Sequence, residues 1–322
     1  MVWLVWRQHR GELLVVAIVL AILATALIVT GVQMANDFQQ LGVASCLAQE
    51  GTPAANPNCN TILAGFDQTY GWMEIAVSWL NFIPPLLAIL VGAPLVAREL
   101  EQGTQRLAWT QSVTRFWWLA VKLALVLGGA LLVSALLTAL LTWWRGPFDQ
   151  LGGRLDPGGF DFEGTAPLSY MLFALALAIA AGAIIRRSIP AMVVTLAGYL
   201  AVRLPIDNYL RSNYLPPVTV TQSPLANTNP VTRADWVLNG GWVDTHGHPI
   251  SDYQAFSTCA IGPGSTKQDF FHCVVAHGWL ETTVYQPASR FWLFQGIETA
   301  IFVALAAALV GLTIWWVQRR IN

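Results

Sequence analysis

Six stretches of this chain stay apolar for 18 residues or more, and their only charged members are Lys122, Arg203 and Glu298. They run Leu13–Val32, Trp79–Ala97, Phe116–Trp143, Ala166–Ile185, Ile189–Ile206 and Trp292–Val317. A bilayer's hydrocarbon is about 30 Å thick, which about 20 helical residues cross at ~1.5 Å each. In that medium every backbone amide must bond inside its own segment, so runs of this kind are helices. Their unbroken apolarity excludes the alternating pattern of a membrane barrel. The fifth is the weakest, because Arg203 and Pro205 interrupt its end; Arg203 is expected to snorkel to the nearer water surface.

Composition agrees. Charged residues make up 11% of the 322, against about 25% in soluble domains. With 17 Lys+Arg against 18 Asp+Glu there is no basic surplus for a nucleic-acid face. A soluble enzyme and a disordered chain are excluded as well. The fold class expected is an all-α integral membrane protein with six transmembrane helices.

Lys/Arg bias sets the orientation. Segments 1–12, 98–115, 186–188 and 318–322 share one side and carry nine Lys/Arg and three acids. Segments 33–78, 144–165 and 207–290, four times as long together, carry six and fourteen. Both termini are therefore expected in the cytoplasm of a bacterial plasma membrane, with the long loops outside. Trp117 and Trp118 against Trp143 and Trp144, and Trp292 against Trp315 and Trp316, lie where two interfacial belts would hold them.

The chain divides into an interfacial helix at 1–12, five spans over 13–206, an insertion at 207–290, and the last span with its tail at 291–322. The first span lacks a convincing cleavage site and is expected to be retained. Cys46, Cys59, Cys259 and Cys273 all lie in the outer loops, where short-range pairs Cys46–Cys59 and Cys259–Cys273 are natural, although four cysteines allow three connectivities. In the insertion, Trp236–Val243 carries Asn239-Gly240 between apolar flanks and predicts a hairpin. Ser265 or Thr266 predicts the cap of a helix ending before Gly278. Small-residue stripes at Ala174, Ala178 and Gly182, and at Ala300, Ala304 and Ala308, predict helix contacts. Ser188 suits the N-cap of the fifth span.

One cytoplasmic segment has content: Arg98-Glu99-Leu100-Glu101-Gln102-Gly103-Thr104, then Arg106, Trp109 and Ser112-Val113-Thr114-Arg115. Leu107 and Trp109 on a short helix near water need a partner to cover them. With Lys122 one turn into the next span, this stretch resembles the loop after the second helix of type-2 ABC transporter permeases. The order of elements over the whole chain is similar too, and Tyr285-Gln286-Pro287-Ala288-Ser289-Arg290-Phe291-Trp292 resembles actinobacterial members. The resemblance implies the membrane subunit of an ATP-driven exporter. A second permease copy or paralogue would complete the path, a separate ABC ATPase would hold ATP and Mg, and the cargo would be an amphipathic or hydrophobic drug, antibiotic, peptide or lipid. It also implies that Arg98, Glu99, Glu101, Gly103, Thr104, Arg106, Trp109 and Arg115 couple to that ATPase. The chain is not expected to be an enzyme, since it has no Gly-x4-Gly-Lys-Ser/Thr string; Gly262-Pro263-Gly264-Ser265-Thr266-Lys267 only looks similar.

Two other classes stay open. Glu298, the one acid inside a span, forms an intramembrane polar patch with Gln295 and Thr299. It is either a proton carrier of a secondary exporter or a buried glutamate fixing helix packing, paired to Arg203 or Arg290. His246, His248, His272 and His277 with Asp244 and Asp252 raise an extracytoplasmic metal site, but no tetrahedral ligand spacing supports one and no cofactor is expected in this chain.

Overall fold

The computed structural model describes residues 2–49, 58–102, 114–226, 230–259 and 266–320. Among the described residues, six helical stretches are long and apolar enough to cross a membrane: Leu14–Gln40, Cys59–Gln102, Phe116–Gly152, Ala166–Ile185, Ser188–Asn213 and Ala288–Arg320. They are spans one to six below. Most are longer than the apolar runs that announce them, because polar residues continue the helix beyond the hydrocarbon. The entry segment joins the first span as one helix, Val2–Gln40.

Segment 33–78, expected as a loop, is largely helix. The first span turns at Gly42 into the short helix Val43–Gln49, and helix Cys59–Ser78 leads into the second span. Cys46 and Cys59 form a disulfide that closes this helical corner, and Cys259 pairs with Cys273. Phe38, Phe66, Tyr70, Trp144 and Phe148 fill the corner against the third span.

The fourth span is the hub. Of its most apolar window 72% is buried, against 11% for the first span, so it is the helix wrapped by the others. Ala174, Ala178 and Gly182 lie on its buried surface as expected. A Cβ at Gly182 would meet the Ala93 carbonyl at 2.6 Å, so only glycine allows the second span this close. The matching stripe of the sixth span is exposed: Ala300, Ala304 and Ala308 face away, and Phe294, Gln295, Glu298, Phe302 and Ala306 face the hub. Small size alone did not tell which face of that helix is covered.

The second span is irregular. A 3-10 turn at Trp79–Phe82, Pro84 and Pro85, and a π-turn at Ala88–Gly92 interrupt its ladder. Proline removes an amide donor, which loosens the helix around it.

Between spans five and six the chain forms a four-stranded antiparallel sheet in the order β1 (Val218–Gln222), β4 (Leu280–Gln286), β2 (Trp236–Val243) and β3 (Pro249–Ile250). Asn239-Gly240 makes no hairpin turn. It lies inside β2, paired with Val284 and Thr283, and a bulge at Leu238 absorbs the irregularity. The turn comes later, at Asp244–His248, where Gly247 takes φ +84°. Thr266 and Asp269 form a capping box on helix Lys267–Ala276, and Gly278 follows with φ +73°, as the sequence predicts.

Candidate functional site

The polar patch of the sixth span is the centre of a buried ionic network at the sheet-bearing end of the bundle. Glu298 is 0% exposed. Its carboxylate accepts hydrogen bonds from Arg211 Nε at 3.0 Å and Nη2 at 2.9 Å, from Tyr170 at 2.6 Å and from Tyr214 at 3.1 Å. Arg203 lies 3.4 Å away. Asp161 stands on the other side of the same guanidiniums, 2.6 Å from Arg211 and 2.5 Å from Arg203. Asp207 forms an ion pair with Arg211 at 2.7 Å. The network therefore joins spans four, five and six to the 153–165 connection, and Asn81 of span two reaches Asp161 at 3.5 Å.

Local structure explains how these groups meet. Arg203, Asp207 and Arg211 recur every four residues, and Pro205 with the π-turn Ile206–Leu210 carries the fifth span outward so that all three serve one centre. Arg203 lies 4.2 Å over the Tyr170 ring and Arg211 4.3 Å over Phe160. Such stacking holds guanidiniums flat while their edges bond carboxylates. Burial pushes the Asp161 carboxyl up, but Arg211 and Arg203 outweigh it and hold it below the ordinary carboxylate range. Burial, with Glu298 beside it, pushes the Tyr214 phenol well up, so it stays a donor.

Gln295 does different work. Its Oε1 accepts the backbone amides of Thr165 at 3.0 Å and Ala166 at 2.8 Å, and its Nε2 donates to the Phe160 carbonyl at 2.9 Å. The fourth span thus receives its N-terminal cap from the sixth, since the Thr165 side chain makes no cap bond of its own. Thr299 and Thr165 share a hydroxyl contact at 2.7 Å.

A second cluster pins the other side of the 153–165 connection. Arg145, 1% exposed, forms an ion pair with Glu74 at 2.9 Å and lies 3.8 Å from Glu163, which pairs with Arg154. Sequence reading found Gln295, Glu298, Thr299 and Arg203 but missed Asp161, Arg211, Tyr170 and Tyr214. The available signals were two acids inside Phe160-Asp161-Phe162-Glu163 and the four-residue spacing after Arg203. Arg203 does not snorkel: paired carboxylates make burial cheaper than reaching water. Arg290 is not a Glu298 partner; it donates to the Pro216 carbonyl at 2.8 Å and to Gln286.

At the opposite end, which carries both termini, the segment after the second span is tied inward. Glu99 pairs with Lys122 at 2.5 Å, and Lys122, 5% exposed, also lies 4.4 Å over Trp118. Glu101 accepts from the backbone amide of Ser188 at 3.3 Å and from its hydroxyl at 3.1 Å. Ser188 is thus the first residue of the fifth span's helix rather than its cap, and a carboxylate from another span satisfies that helix end. Arg98 is exposed. Gly103, Thr104, Arg106 and Trp109 lie outside the described residues, and Arg115 begins the helix of span three.

The histidines do not converge. Asp244 accepts the amides of His246 and His248 at 2.8 Å each and the His248 ring at 3.0 Å, which is turn chemistry. Cys259, Cys273 and His277 lie close together, but both thiols are committed to the disulfide.

A family model described as ABC-2 membrane transporter related matches residues 17–211, more than half of the chain, ending at the arginine that joins Glu298 to Asp161. No curated protein and no solved structure matches.

Proposed function

The chain belongs to the ABC-2 membrane transporter related family, and from that premise we propose that it is the membrane-spanning subunit of an ATP-driven exporter. A separate ATPase supplies the force, docking on the segment 98–115 from the cytoplasm, the side that also holds both termini. Two permease copies, or this chain and a paralogue, line the path. The cargo is amphipathic or hydrophobic, in keeping with the apolar surfaces the spans present.

The observation that carries this reading is the pair of ties at the terminal end. Glu99 holds span three through Lys122 and Glu101 holds the start of span five through Ser188. A push on the end of the second span reaches two further spans through these ties. At the far end the Glu298–Arg211–Asp161 network locks spans four to six, so the bundle transmits a tilt as a body. Glu298 fits that locking role, since its oxygens are occupied by arginine and tyrosine donors rather than facing a water path.

The test is twofold. Single cysteines at positions 104–112 should be reached by impermeant thiol reagents only after cells are opened, and the purified chain should bring down an ATPase lacking spans of its own. Labelling in intact cells, or a purified complex without a nucleotide hydrolase, overturns the reading.

A further inference from the structure

We infer that the terminal end of the bundle holds a binding site for the headgroup phosphate of an anionic phospholipid, built by Arg186, Arg187, Arg319 and Arg320. The first pair forms the two-residue turn between spans four and five, and the second closes the last turn of span six. Arg186 Nη2 donates to the Arg320 carbonyl at 3.0 Å, so the two tips touch and the four cations share one patch.

Three observations set this patch apart. First, Arg186 takes φ +58°, the one positive φ of a non-glycine among the described residues. That position ends a helix in the left-handed conformation, where glycine or asparagine is the relaxed choice. An arginine there needs a reason beyond the backbone. Second, the four side chains are exposed, and none forms an ion pair with a carboxylate among the described residues. Glu101, the acid beside the turn, is engaged by Ser188, and the stretch 103–113 contains no Asp or Glu. Two helix C-termini supply only about half a negative charge each, roughly one against four. Third, the patch lies flush with apolar surface. Ile189 is 75% exposed, Val193 64% and Trp315 43%, all within two turns of the arginines.

A tip of two residues gives a soluble protein little to grip. Phosphate at headgroup depth, with acyl chains along Ile189, Val193 and Trp315, satisfies both the charge and the apolar surface. Guanidiniums bind phosphate oxygens in pairs, and basic clusters beside spans draw anionic lipid at about 1 kcal/mol per cation.

The test is native mass spectrometry of the full chain, delipidated in neutral detergent and titrated with phosphatidylglycerol, cardiolipin or phosphatidylcholine. Wild type should hold the anionic lipids roughly tenfold or more tightly than phosphatidylcholine. The variant Arg186→Gln/Arg187→Gln/Arg319→Gln/Arg320→Gln should lose that preference while melting as wild type does without added lipid. Should that variant fail to fold, the four Arg→Lys replacements decide: they keep the charge and should keep a reduced preference. Preference unchanged in the Gln variant overturns the site. Competition by millimolar inorganic phosphate overturns the lipid assignment in favour of a free anion. Loss of the ATPase from the Gln variant, with lipid preference intact, overturns it in favour of a protein contact.

Discussion

Replacing Arg211 with methionine tests the ionic network at its most sensitive point. Arg211 is 0% exposed and touches Glu298 at 2.9 Å, Asp161 at 2.6 Å and Asp207 at 2.7 Å. Methionine keeps the packing volume near Phe160 but leaves three carboxylates to share Arg203, two of them within the protein interior. Breaking a buried pair from one side costs about 3–5 kcal/mol, because the charge left behind has neither water nor partner. Glu298→Gln is the asymmetric control. Asp161 and Asp207 then face Arg203 and Arg211 in equal number, so only charge-assisted hydrogen bonds are lost, at about 1–3 kcal/mol. With an unfolding entropy near 0.7 kcal/mol/K for a 322-residue chain, Arg211→Met should lower Tm by about 4–7 °C and Glu298→Gln by about 1–4 °C. The double variant should be more stable than Arg211→Met alone, because one stranded carboxylate is gone. The assay is thermal unfolding in detergent followed by tryptophan emission, with membrane yield recorded alongside. A melting point for Arg211→Met within a degree of wild type, or a Glu298→Gln cost equal to that of Arg211→Met, would refute the reasoning.

Gln295→Leu should cost about 1–3 kcal/mol through the uncapped amides of Thr165 and Ala166, read by thermal unfolding. Gly164→Ala should destabilise by a similar margin, since φ is +70° and a Cβ would stand 2.8 Å from Gln295; the same melts check it. Replacing the Cys259–Cys273 disulfide, which closes a 14-residue separation, by Cys259→Ser/Cys273→Ser should weaken the sheet region by about 3 kcal/mol and leave the span melts unchanged, as read by limited proteolysis of the variant beside wild type. The His248 amide and then ring, with the His246 amide, hold the Asp244 carboxyl below its ordinary value, against slight burial. A lowered folded pKa stabilises above the unfolded value near 3.9 and is lost as pH falls through the folded one, so amide protection at 244–248 should exceed that of Asp244→Asn at neutral pH and converge with it in strong acid.

The spans were legible because the hydrocarbon imposes a length and an apolarity that no other environment does. The short disulfides and the Thr266 helix were legible for similar local reasons: loop position, sequence spacing and cap chemistry. What escaped was non-local. Nothing near Asp161 or Arg211 says that they meet Glu298 across 137 and 87 residues of chain. For Arg203 the sequence offered Glu298 as one partner but not Asp161, which comes from another element. Asn239-Gly240 carries a strong turn signal, yet pairing with β4 on one side of β2 holds it extended, a tertiary override of local preference. Glu99 and Glu101 were read as coupling to a partner; Glu99 also pairs with Lys122, and Glu101, though exposed, accepts from Ser188, so both tie the segment to other spans.

ATP hydrolysis by the co-reconstituted ATPase, with wild-type permease and with Glu101→Ala/Trp109→Ala, measures force transfer most directly. The variant should insert and fold while the permease-dependent rise in turnover is lost, because one substitution frees the fifth span from the segment and the other removes an apolar side chain that the docking reading needs. A rise equal to that of wild type would contradict the claim that the 98–115 segment carries the force.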